Sequence, residues 1–216
     1  MDSKVRNVSL NSARVAITNA QADPQVQANL ALFGYDAAKL TEGSALLSEA
    51  ETLTQQQAAE YGEQFAASEA VRTAWAEAKL AYGRSLKVAR VAFRQDAQAQ
   101  AALLLNGTRK ESLSGWLQQA TTFYANLLAD ARLVGGMGQF GYDEAKLTAE
   151  QGLVTAVQSL DAAQEREKGE AQAATKARDG KLDDLAEWLA DFREIAAVAL
   201  ADEPQQLERL GLGAIA

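Results

Sequence analysis

Apolar residues recur at steps of three and four along most of the chain. Leu113, Leu117, Ala120, Tyr124 and Leu127 show the spacing most plainly, and it is the spacing of a helix that buries one face. It predicts a helix from about Ser112 to Leu133, matched earlier by one from about Val8 to Ala28. A second pair of helices carries Leu40, Leu46, Ala50 and Leu53, then Leu147, Leu153, Val157 and Leu160. A third pair carries Val71, Trp75, Ala78, Tyr82 and Leu86, then Leu182, Leu185, Leu189, Phe192 and Ile195. Two short segments, AQAALLLNG and PQQLERLGLG, end on glycines that stop a helix.

These pairs reflect a repeat. The phrase FGYDAAKLT begins at Phe33, and FGYDEAKLT begins at Phe140, 107 residues later. At the same offset, with no gap, Leu10 falls on Leu117, Asn19 on Asn126, Asp23 on Asp130 and Leu103 on Leu210. Roughly a quarter of positions coincide, which points to tandem duplication; two copies are too few for a solenoid. The expected fold class is all-α: two tandem-duplicated three-helix units, residues 1–107 and 108–216, in an elongated antiparallel helical bundle with internal pseudo-twofold symmetry. The short connection LNGTRKES favours packing of the two as one domain.

The repeated phrase reads as a structural turn and cap. Gly34 and Gly141 allow a backbone that other residues resist. Asp36 and Asp143 follow where a carboxylate accepts the free N–H groups of a new helix. Phe33 and Tyr35, with Phe140 and Tyr142, would pin the turn to the bundle end. A paired ligand site at the two aromatic turns is the other reading of this phrase. Gly62 and Gly169 stand at equivalent places inside helical stretches. Glycine is costly there, by roughly 1 kcal/mol against alanine, so the pair predicts a break, a kink or a close helix crossing.

Composition removes most chemistries. The chain has 216 residues, two prolines, no cysteine and no histidine. Disulfides, thiolate zinc sites, histidine-served nucleophiles and histidine-ligated metals are therefore excluded. The net charge of −8 disfavours general nucleic-acid binding, whose affinity comes largely from phosphate neutralisation. No apolar run approaches the roughly 18 residues of a membrane span, and the opening MDSKVRNVSLNSARVAITNA lacks a signal-peptide core. A cytoplasmic protein is expected, with no cofactor and no catalytic residues.

Three candidate features remain. Arg84, Lys87, Arg90 and Arg94 recur at steps of three and four as a basic stripe. At the 107-residue offset the first two become Asp191 and Glu194, and Arg72 becomes Asp179. Opposite charge at equivalent places would fix register and partner choice, within one molecule or between neighbours; the bland alternative is two solvated faces. Among the tryptophans, Trp116 is a possible apolar anchor for such a contact. The pairs Glu60–Glu63 and Glu167–Glu170 each put two carboxylates on one helix face, and four converging acids could hold a hard cation.

The expected function is a non-enzymatic helical scaffold or interaction protein that self-associates through charge-complementary helix faces, with a second copy or another protein as partner. A carboxylate-rich, divalent-metal-binding bundle is one alternative. A membrane-active amphipathic protein is another, weighed against by the acidic balance and the absence of a long apolar hairpin.

Overall fold

The computed structural model describes residues 9–212 of the chain. It is all-α, with no strand among these residues. The elements are α1 (Leu10–Ala22), α2 (Pro24–Ala31), α3 (Ala37–Ala92), α4 (Ala97–Ala102), α5 (Leu113–Leu128), α6 (Ala131–Gly138), α7 (Glu144–Ala199) and α8 (Pro204–Arg209).

The eight helical segments include the two short closing segments expected, now α4 and α8, and depart from the six main helices expected in two ways, each with a physical reason. The first helix of each half is cut in two, because Asp23 and Asp130 adopt extended backbone and cap the helix that follows. Asp23 Oδ1 accepts the N–H of Gln25 at 2.9 Å, and Asp130 Oδ1 that of Arg132 at 2.9 Å. Pro24 reinforces the first cut, since it has no N–H to continue a ladder. The expected start at Val8 lies outside the described residues. In the other direction, the second and third helices of each half run on as one helix of 56 residues. The break allowed for at Gly62 and Gly169 is absent. A crossing is absent too, since a Cβ at either glycine would meet nothing within 4 Å.

The turn at the repeated phrase has the geometry its residues imply. Gly34 takes φ +84° and Gly141 takes +75°. The N–H of Tyr35 reaches the carbonyl of Leu30 at 3.1 Å, and that of Gly34 reaches Ala31 at 3.2 Å. Tyr142 and Gly141 do the same to Met137 and Gly138, at 3.2 and 3.1 Å. These paired bonds satisfy carbonyls that a helix end leaves open. Asp36 and Asp143 then accept the N–H of Lys39 and Lys146, each at 2.9 Å. Tyr35 and Tyr142 are buried, whereas Phe33 and Phe140 stay about half exposed, so the tyrosines alone pin the turn.

The chain forms two compact units, and neither coincides with a sequence half. One is Met1–Gly62 with Gly169–Ala216; the other is Glu63–Lys168. Each therefore draws on both 1–107 and 108–216, because α3 and α7 pass without interruption from one unit into the other.

In the first unit, the core gathers Ala13, Ile17, Leu30 and Leu40 with Leu185 and Phe192. Trp188 stacks on Phe192 with ring centroids 5.2 Å apart, and Tyr35 meets both rings. Gly43 is buried beneath Trp188, so close that a Cβ would overlap the indole. Lys181 pairs with Glu49 at 3.0 Å; with the Gly43–Trp188 contact, this shows that α3 and α7 run antiparallel here. In the second unit, the core gathers Leu103, Phe123, Tyr124, Leu127, Met137 and Leu147. There Gln164 donates to Ser68 at 2.8 Å, and Ser85 meets Glu150, again antiparallel.

Candidate functional site

The charged stripes are built by helices whose opposite sides are core. In the second unit, α3 buries Ala78, Tyr82, Leu86 and Ala89. That leaves Arg84, Lys87 and Arg90 on the exposed side, with Arg94 just past the helix end and also exposed. Leu80 and Val91, 65 % and 49 % exposed, stand on the same side. Arg90 is tied down, its Nε donating to the carbonyl of Leu105 at 3.1 Å. No ion pair joins Arg84, Lys87 or Arg94 to an acid among the described residues. Three of the four basic side chains are thus uncommitted.

In the first unit, α7 buries Leu185, Trp188, Leu189, Phe192 and Ala196, leaving Glu187, Asp191, Glu194 and Val198 outward. Asp191 and Glu194 likewise make no ion pair among the described residues. Beside them lies a hollow of about 340 Å³, lined by Tyr35, Lys39, Glu42, Asp184, Glu187 and Asp191 among others. The Tyr35 hydroxyl is pushed above its ordinary value of 10.0, first by burial and then by the nearby Asp191 and Glu42 carboxylates. The hollow is a negative field over an aromatic floor.

Trp116 is not available to a partner. It is 4 % exposed, in the second unit's core, edge-on to Tyr82 at 6.2 Å and tilted against Trp75 at 6.2 Å. Its large ring is spent on aromatic contacts within the chain. The four glutamates do not form one set within a unit. Glu60 and Glu170 belong to the first, with carboxylate oxygens within 4.8 Å of each other. Glu63 and Glu167 belong to the second. Glu63 and Glu170 are exposed, and Glu167 pairs with Arg166 at 3.1 Å. Clustered acids of this kind are common without a metal.

A buried polar cluster in the second unit escaped the sequence reading. Tyr124 Oη donates to Glu150 Oε2 at 2.9 Å, and Ser85 Oγ donates to the same oxygen. Ser85 and Tyr124 are fully buried and Glu150 nearly so. Burial pushes the Tyr124 phenol far above its ordinary range, so it stays a donor. At the 107-residue offset, the first unit has Phe192, Gly43 and Ile17 in these places. The two units thus fill corresponding places with opposite chemistry. A buried acid opposite two hydroxyls could have been sought as polar residues on predicted apolar faces.

The connection between α4 and α5 is held by local bonds. Arg109 Nη1 donates to Tyr82 Oη at 3.1 Å, and Gln119 bridges Thr108 and Lys110 at 3.1 and 2.9 Å. No helix among the described residues is long and apolar enough to cross a membrane. No protein-family model, no curated protein and no solved structure matches the chain.

Proposed function

We propose that the protein is a non-enzymatic helical scaffold that associates with further copies of itself through oppositely charged helix faces. The observation that carries this reading is the pair of uncommitted stripes: Arg84 and Lys87 beside exposed Val91, against Asp191 and Glu194 beside exposed Val198. Residues that make no ion pair among the described residues, yet hold their charges in line on rigid helices, are available to a complementary surface. Complementary charge sets register and partner choice more than raw affinity, because exposed ion pairs contribute only about 0–1 kcal/mol each. Contact between one patch and a different patch closes into a ring or continues as a filament.

Tandem duplication with pseudo-twofold symmetry accounts for how one chain comes to carry both faces. It is supported by the helix bounds: α2, α3 and α4 are followed 107 residues later by α6, α7 and α8 of equal length. Divergence after duplication then gave one copy of the face arginine and lysine, the other aspartate and glutamate.

Light scattering coupled to size-exclusion chromatography tests the reading, at low and high salt, on the wild type and on Arg84→Glu/Lys87→Glu. Particles larger than one chain that shrink with salt and are lost in the variant are expected. A single chain under every condition overturns it.

A further inference from the structure

The two stripes match in spacing as well as in charge. On the second unit, Leu80, Arg84, Lys87, Val91 and Arg94 follow one another at steps of four, three, four and three. On the first unit, read backwards, Val198, Glu194, Asp191, Glu187 and Asp184 follow at the same four steps. Alternating steps of three and four keep a row of side chains on one line of a helix, as in a coiled-coil seam. All ten residues are exposed. Each row covers 14 residue steps, roughly 21 Å of helix axis at 1.5 Å per residue in the acidic row; the basic row follows α3 as far as Val91, and Arg94 stands in the turn just past the helix end.

We infer that the basic row of one copy lies antiparallel along the acidic row of a second copy, with Leu80 against Val198. Arg84 then faces Glu194, Lys87 faces Asp191 and Arg94 faces Asp184, while Val91 falls beside Glu187. The inference rests on the self-association proposed above and adds direction and register to it.

The reversed reading is favoured by what each alignment brings together. A parallel alignment at the repeat offset pairs Arg84 with Asp191, Lys87 with Glu194 and Val91 with Val198. It also sets Leu80, 65 % exposed, against Glu187, and leaves Arg94 opposite Ala201. The antiparallel alignment makes three charge pairs instead of two, and it covers the most exposed apolar residue of the basic row with the only apolar residue of the acidic row. It also brings Lys87, the most compact cation of the row, to Asp191 at the rim of the acidic hollow. Asp184 already pairs with Lys181 at 3.2 Å, within its own helix. Arg94 therefore competes with a half-exposed pair whose lysine is shared with Glu49.

Because the chain contains no cysteine, engineered thiols report contacts without background. Leu80→Cys/Val198→Cys and Val91→Cys/Val198→Cys are compared under mild oxidation, with particle size measured on the reduced proteins. All three positions are exposed, and a thermal melt of each reduced variant checks that the fold is kept. Covalent multimers from Leu80→Cys/Val198→Cys, lost at about 1 M salt where the screening length falls to about 3 Å, with none from the other pair, are expected. Multimers from Val91→Cys/Val198→Cys alone overturn the antiparallel register and leave self-association standing. Large particles with no cross-link from either pair overturn these faces as the contact. Single chains throughout overturn the scaffold reading itself, and with it this inference.

Discussion

Asn19 donates its side-chain N–H to the carbonyl of Arg209 at 2.6 Å, joining α1 to the end of α8. Asn126 makes the corresponding bond to Ala102 at 2.7 Å. Both members of each pair are displaced by 107 residues, in opposite directions. The first helix of one half is therefore tied to the closing turn of the other. Replacing Asn126 by alanine removes the bond and opens a carbonyl to water. Chemical denaturation is expected to show a loss of about 1 kcal/mol, the usual net worth of one such bond. Asn19→Ala should cost a similar amount.

Leu104 sits in the left-handed region at φ +50°, whereas Gly211, its counterpart, takes +68°. Both close a helix with the same pair of backbone bonds: Leu105 to Gln100 and Leu104 to Ala101, then Leu212 to Leu207 and Gly211 to Glu208. A side chain in this region costs roughly 1–2 kcal/mol. Part of that is returned when Leu104, which is only partly buried, is replaced by glycine. A gain of roughly 0.5–1 kcal/mol in unfolding free energy is expected for Leu104→Gly. No gain, or a loss, would show that the leucine side chain outweighs the backbone strain.

The Ser85–Glu150–Tyr124 cluster gives a sharper contrast between partial and complete removal. Glu150→Ala leaves two buried hydroxyls without an acceptor, at roughly 1–3 kcal/mol each. The triple change Ser85→Ala/Tyr124→Phe/Glu150→Met removes every polar partner at nearly constant volume. It is expected to recover most of the loss, measured by thermal or urea unfolding. A triple variant as unstable as Glu150→Ala would mean that the cluster holds the core by shape and not by hydrogen bonding.

Acid should weaken one helix start in a defined direction. The Asp96 carboxyl is held below its ordinary value of 3.8, first by the N–H of Ala99 and then by Arg132. A group depressed in the folded state contributes stability above its unfolded value, and the contribution is lost as pH falls through the folded one. The stability difference between wild type and Asp96→Asn is therefore expected at neutral pH and should vanish below the carboxylate range. A difference that persists in strong acid would assign the effect to the amide itself.

Gly43 tests close packing in the other unit. A Cβ there would overlap the Trp188 ring, and the ring is held between Tyr35 and Phe192. Gly43→Ala is expected to cost about 1–3 kcal/mol, the range for overpacking a filled core. Gly62→Ala, with open space around it, should stabilise by up to about 1 kcal/mol through helix propensity.

The helical class and the Phe33–Asp36 turn were legible because both depend on local pattern: apolar steps of three and four, a glycine, and an aspartate. The long helices were not, since Gly62 and Gly169 face outward and a solvated glycine weakens a helix without ending it. Nor was the cut at Asp130, where no proline marks it as Pro24 marks the first. The burial of Trp116 and the Ser85–Glu150–Tyr124 cluster depend on which distant segments meet, and periodicity along one helix carries no information about its neighbour. The charged stripes were legible as rows, while their exposure and lack of partners needed the fold.

The tie of Asn19 to Arg209 and of Asn126 to Ala102 also bears on ancestry. On the proposed duplication, a single ancestral repeat would have held the first helix of one core and the closing turn of another, and so could complete neither alone. Two such chains exchanging their ends would complete both. The present molecule would then be an intertwined dimer whose subunits were fused between Gly107 and Thr108, its cores having since been free to diverge, one toward stacked rings and the other toward a buried acid.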